Sequence, residues 1–183
     1  MPVYIAMLRG INIGPHKRMK MDKLCASCEA LDFEQVKTYV QSGNVVFKAG
    51  KQSPASLSGK LEERIVRDFG FSAPVIVRTD DEMGKVIRNN PLIKKPNIDP
   101  ERLHVTFLSE LPAPATVKKL DALPQQPDWF CYLKREIYLH CPNGYGQTKL
   151  TNNLFEKQLA VGATTRNWRT VNNLYEMTKE YNR

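Results

Sequence analysis

Four short stretches bring glycine together with amide, hydroxyl and guanidinium side chains. The first is Arg9-Gly10-Ile11-Asn12-Ile13-Gly14 and the second is Gln41-Ser42-Gly43-Asn44. The third is Asn143-Gly144-Tyr145-Gly146-Gln147-Thr148-Lys149, and the fourth is Thr164-Thr165-Arg166-Asn167-Trp168-Arg169-Thr170. Glycine lets backbone N–H groups come close to a ligand, and oriented N–H groups beside a helix start hold anions. Arg9 adds a planar donor fork that matches phosphate or carboxylate. The chemistry these residues suit is recognition of a small anion. Arg9, Gly10, Asn12, Gly14, Ser42, Gly43 and Asn44 are assigned to that role, with Lys149, Arg166 and Asn167 in a second rank. None of the stretches is a Walker phosphate loop or a dinucleotide fingerprint. Turn geometry alone would also account for Gly10, Gly14 and Gly43.

The fourth stretch carries a conflict. Thr165 reads as the N-cap of a terminal helix running from about Arg166 to Tyr181. That puts Arg166 and Arg169 in a first turn, where the helix dipole disfavours cations. A bound anion or an acidic neighbour would relieve it. Trp168 reads as a core anchor beside Val171 and Tyr175.

Other chemistries have less to stand on. Cys25-Ala26-Ser27-Cys28 has a redox or metal spacing, but both thiols lie mid-helix on the stripe of Leu24 and Leu31, and a redox pair belongs at a helix N-terminus. Cys131 and Cys141 fall on opposite faces of a hairpin if its turn is Lys134-Arg135. No metal site and no cofactor are expected. His16, His104 and His140 are the only histidines, and none belongs to a nucleophilic triad. Val3-Tyr4-Ile5-Ala6-Met7-Leu8 is tolerably like the first strand of an RNA recognition module. The strand that should carry its stacking rings offers Asn44, Val45 and Val46 instead. Tyr4 is expected in the core.

The elements that must position these loops follow from periodicity. Val3–Leu8 is apolar at every position, a strand covered on both faces. Met21, Leu24, Cys25, Cys28 and Leu31 recur at helical spacing. Val36–Val40 and Val45–Ala49 form a hairpin, Ser53-Pro54 opens a helix that Gly70 stops, and Pro74–Arg78 is a fourth strand. Thr79 with Glu82 forms a capping box for a helix ending before Pro91. The loop with Pro91, Pro96 and Pro100 is the candidate linker. Beyond it come a strand over Leu103–Leu108, a short helix over Ala115–Leu123, a hairpin over Trp129–Leu133 and Ile137–Cys141, and a helix over Leu150–Leu159. Where a further strand is due, the terminal helix stands instead. If the first and third strands are antiparallel neighbours, the Arg9–Gly14 and Gln41–Asn44 loops share one rim.

With 42% hydrophobic and 25% charged residues over 183 positions, a packed globular core is expected. The longest apolar run near the start, Val3–Leu8, is too short for a membrane span or a secretory signal. Four cysteines without such a signal read as cytoplasmic thiols. The net charge of +8 favours anionic partners. The basic residues are scattered, so charge alone does not separate a small ligand from nucleic acid.

LRGINIG (8–14), TYVQSGNVVF (38–47), GYGQTKL (144–150) and TTRNWRTV (164–171) together resemble the bacterial family catalogued as domain of unknown function sixteen-ninety-seven, from the first strand to the last helix. The resemblance implies two ferredoxin-like subdomains, a bacterial cytoplasmic setting and no assigned activity. It brings no catalytic residues with it.

The expected fold is therefore α+β, two packed ferredoxin-like (split βαβ) units with an additional C-terminal helix. The units are placed at 1–90 and 91–183. Two functional readings stand. One is binding, with or without catalysis, of a nucleotide or phosphorylated metabolite at the Gly/Asn/Arg rim. The other is a noncatalytic nucleic-acid or interaction module whose basic surface makes nonspecific phosphate contacts. Neither involves a membrane.

Overall fold

The apolar run Val3–Leu8 forms strand β1, and all six of its residues are buried in the computed structural model, which describes residues 1–181. After it come α1 (Met21–Glu29), β2 (Glu34–Tyr39), β3 (Asn44–Lys48), α2 (Pro54–Phe69), β4 (Val75–Thr79) and α3 (Asp80–Arg88). The chain then gives β5 (Leu103–Leu108), α4 (Pro114–Val117, continued by a 3-10 turn), β6 (Trp129–Leu133), β7 (Glu136–His140), α5 (Asn152–Leu159), β8 (Ala163–Asn167) and α6 (Trp168–Glu180). Among the described residues the fold is mixed α+β, with six α-helices and two four-stranded antiparallel sheets, ordered β2-β3-β1-β4 and β6-β7-β5-β8.

The second seven elements repeat the first, and the repetition reaches individual hydrogen bonds. Leu8 N–H donates to Gly43 O as Leu108 N–H does to Arg135 O, both at 2.9 Å. Arg9 N–H donates to Pro74 O as Ser109 N–H does to Gly162 O, both at 2.8 Å. The first N–H of β4, on Val75, is taken by Glu62 Oε1 of α2 at 2.8 Å, and that of β8, on Ala163, by Glu156 Oε1 of α5 at 3.0 Å. Arg78 stands opposite Ile5 in β1, as Arg166 stands opposite Val105 in β5, and both arginines are buried.

The expected missing strand exists as β8, and the last helix starts at Trp168, not at Arg166. Thr165 is a strand residue. The cap is Asn167, whose Oδ1 accepts Thr170 N–H at 2.8 Å. β8 is short and polar, Ala-Thr-Thr-Arg-Asn, and runs into the helix without a turn, so neither alternation nor a turn signal marks it. α6 is the second copy of α3 and not an appended element. The Thr79–Glu82 capping box is present, with Glu82 N–H donating to Thr79 Oγ1 at 3.1 Å and Thr79 N–H to Glu82 Oε2 at 2.9 Å.

The chain divides into two compact units, one of residues 1–84 together with the chain from Asn173 onward, the other Lys85–Asn172. The sequence reading divides it at 90/91, in the proline loop. In the first unit, α1 and α2 cover one sheet face, where Tyr4, Leu8 and Phe47 pack with Leu24, Leu57 and Leu61. Each fully buried side chain of this kind contributes about 1.5–3 kcal/mol. The other face, with Val3, Ile5, Met7 and Val46, is also buried. On it Tyr181 donates its hydroxyl to Gln35 O at 2.7 Å and Val46 O at 3.1 Å. In the second unit Leu108, Leu139, Phe155 and Leu159 form the helix-side core, and Tyr138 of β7 donates its hydroxyl to Val86 O of α3 at 2.8 Å.

Candidate functional site

Antiparallel pairing of β1 with β3, in register at Met7↔Asn44, sets the Arg9–Gly14 loop against the Gln41–Asn44 turn. Asn12 joins them. At φ 55° it donates Nδ2 to Met19 O (2.9 Å) and to Gln41 O (2.8 Å), while its Oδ1 accepts Met19 N–H (2.8 Å). Gly43 is required by space. At φ +76° a Cβ there would come within 2.7 Å of Ile11 Cδ1 and 2.8 Å of Leu8 Cβ. Asn44 is buried, donating Nδ2 to Tyr39 O (3.1 Å) and Ser42 Oγ (2.8 Å). Gly10 and Gly14 face open space, and Arg9 is half-buried at the end of β1. The two loops share a rim. Asn12, Gly43 and Asn44 build it and turn their polar groups inward.

What the rim encloses is a cleft of about 510 Å3 lined by Asn12, Gln41, Arg18, Lys20, Lys23 and Phe69, together with Met19. Three of these are cations and none is a carboxylate. Arg18, Lys20 and Lys23 are exposed. Lys20 occupies the N-cap position of α1 and gives it no side-chain cap, while Asp22 Oδ1 accepts Lys23 N–H at 2.8 Å, which leaves the earlier N–H groups of the turn for the cleft. Of the two arginines expected to oppose the dipole of the last helix, Arg166 is a strand residue and Arg169 stands in the first turn of α6. Lys20 and Lys23 oppose the dipole of α1 in the same way, with Asp22 beside them in that turn offsetting part of it. The sequence holds one signal for Arg18 and Lys20, the base-rich loop that leads into α1; Lys23 lies inside the helix. Phe69 arrives from α2, and only the tertiary fold brings it near.

In the second unit the other two stretches meet one another. Tyr145 stacks on His104 with ring centroids 4.9 Å apart, and His104 pairs across β5–β8 with Asn167. Arg166 is buried, with Nη1 donating to Thr164 Oγ1 and to Thr165 O, each at 3.0 Å. Burial pushes its pKa down to about 10, partly offset by its electrostatic interaction with Tyr145, and it stays protonated at neutral pH. Burial lowers the His104 pKa as well, disfavouring the charged ring. Gly144, at φ +88°, passes close to Arg102, whose Nη1 would lie 3.2 Å from a Cβ there. Lys149 is exposed ahead of α5, and Asn167 is exposed as the cap of α6.

Tyr4 lies in the core, 2% exposed, stacked at 5.8 Å on Phe47 and donating its hydroxyl to Gln52 O at 3.0 Å. With both faces of β1 and β3 buried, no open sheet face remains there for base stacking. Cys28 is buried in α1, whereas Cys25 on the same helix is only half-buried, a departure from the expectation that both are sealed.

Fold and cleft define a mixed α+β protein of two repeated units with a basic cleft in the first. A family model described as "Protein of unknown function (DUF1697)" matches residues 1–138, and the chain belongs to that family. Among solved structures it is similar to "conserved bacterial protein SP0830 from Streptococcus pneumoniae", with a TM-score of 0.76 and 22% identity, covering 96% of this chain and 98% of that one. At that identity the likeness speaks for the fold. A comparison with curated proteins finds no match. Among the described residues no helix is long and apolar enough to cross a membrane.

Proposed function

We propose that the protein binds a small anionic ligand, a nucleotide or phosphorylated metabolite, in the cleft between the Arg9–Gly14 loop, the Gln41–Asn44 turn and the start of α1. The observation that carries this reading is the lining itself: Arg18, Lys20 and Lys23 converge on about 510 Å3 with no carboxylate among them. That volume suits a ligand of metabolite size. A phosphoryl group would take charge-assisted hydrogen bonds from the three cations and from the first turn of α1. Arg9 and Ser42 serve as rim residues in this reading, and Asn12 as the residue that holds the rim shut.

Finer features belong to the same reading. Each unit is ferredoxin-like, on the strength of its βαββαβ order and of a central first strand flanked by the third and fourth. A cytoplasmic setting suits four free thiols.

The test is calorimetric titration with inorganic phosphate and with AMP at low ionic strength. One-site saturation is expected, weakened about tenfold by Lys20→Ala, the loss of one charge-assisted hydrogen bond. Absence of saturable binding, combined with oligonucleotide affinity that falls steeply with salt, would shift the conclusion to a nucleic-acid module.

A further inference from the structure

The basic cleft shares Lys23 and Phe69 with a neighbour. These two residues are also walls of a second recess of about 430 Å3, completed by Ala26 and Ser27 of α1 and by Arg64, Arg67 and Asp68 of α2. The Asp68 carboxylate is already committed. Its Oδ2 accepts from Arg64 Nε at 2.5 Å and from Ser27 Oγ at 2.6 Å. Arg64 is thereby neutralised, and the charge left to the recess is that of Lys23 and Arg67. Both are exposed, and neither forms an ion pair within 4.0 Å among the described residues, although Arg67 joins Arg64 in holding the Asp68 carboxyl below its usual pKa. Two positive ends thus flank an apolar ring. Like charges held this way repel one another in the empty protein, a cost that an anion at each end removes.

Resting on the reading above, we infer that the ligand carries two phosphoryl groups on separate atoms of one organic framework. Arg18 and Lys20 hold one group and Arg67 holds the other. Lys23 lies between them, and the framework crosses Phe69. A ligand with a single phosphate would use the first cleft and leave Arg67 idle.

Titrations with AMP, adenosine 3′,5′-bisphosphate and fructose 1,6-bisphosphate test this on the full chain. At least one bisphosphate is expected to bind about tenfold more tightly than AMP. Arg67→Ala should bring that bisphosphate down to the affinity of AMP, and Lys20→Ala should weaken both. An unchanged thermal midpoint in each variant shows that the fold is intact, as expected for exposed side chains. Equal affinities for AMP and both bisphosphates would overturn the two-group ligand and leave the first cleft standing. An Arg67→Ala loss as large for AMP as for the bisphosphate would overturn it too. Failure of phosphate, AMP and both bisphosphates to bind would remove the anion reading and this inference together.

Discussion

Cys28 and Cys141 show what burial does to single residues of this chain. Cys28 is wholly enclosed by the α1–α2 side of the first sheet, which pushes its thiol up from near 9 to about 12, and burial raises Cys141 to about 11. A thiol whose folded pKa is raised stays neutral in the core while the unfolded chain ionises. Stability from these groups is therefore complete below pH 9 and is lost as pH climbs toward the folded values. The loss is about 1.4 kcal/mol per thiol by pH 10. Urea unfolding at pH 8, 9 and 10 should show the decline, and Cys28→Ala should flatten it by about that amount despite its packing cost. Parallel slopes for the two proteins would refute the assignment. The same scale shows where sequence is legible. Glycine and asparagine types at 10, 12, 43 and 44 announced a built rim. They could not show that Asn12 and Asn44 spend their amides on backbone carbonyls, because partner choice is tertiary.

Helix ends decide more than their length suggests. α2 stops at Gly70, at φ 74°, and its repeat α5 stops at Ala160, at φ 57°, each N–H donating to the carbonyl four residues back. Left-handed backbone costs a residue with a Cβ roughly 1–2 kcal/mol, and glycine escapes it. Ala160→Gly is exposed and removes no packed atom, so it should stabilise the protein by about 0.5–1 kcal/mol after the entropy of the unfolded chain is counted. A thermal midpoint that stays put or falls would mean that the cap is not where the strain lies. Elements with strong local signals were readable in advance: Ser53-Pro54 at the start of α2, Gly70 at its end, and the Thr79–Glu82 box ahead of α3. β8 was not, because its identity comes from pairing with β5. Without it the second half of the sequence ends differently from the first, and the duplication is visible only as element order.

At the scale of the whole molecule the chain's end returns to its beginning. The first unit comprises residues 1–84 and the segment from Asn173, whereas the second, Lys85–Asn172, is continuous. Within the first unit Asn173 Nδ2 donates to Tyr39 Oη at 2.5 Å and Lys37 pairs with Glu180 at 2.9 Å. Tyr181 is 8% exposed, and the Lys37 and Lys48 ammonium groups lie 5.4 and 5.8 Å from its ring centroid. The surface ion pair contributes little. The ring and its two hydrogen bonds to backbone carbonyls contribute more, because removing them uncovers part of a buried sheet face. The second unit has all its parts once residue 172 is made, and the first must wait for the terminal helix. A fragment ending at Gly84 should therefore be markedly less stable than the same residues in the full chain, with fast amide exchange in β2 and β3. Tyr181→Ala in the full chain should reproduce the effect in weaker form, by about 2 kcal/mol, again read in those two strands. A fragment of residues 1–84 that exchanges as slowly as the intact protein would show that the first sheet needs nothing from the C-terminus, and that the return of the chain is incidental to its stability.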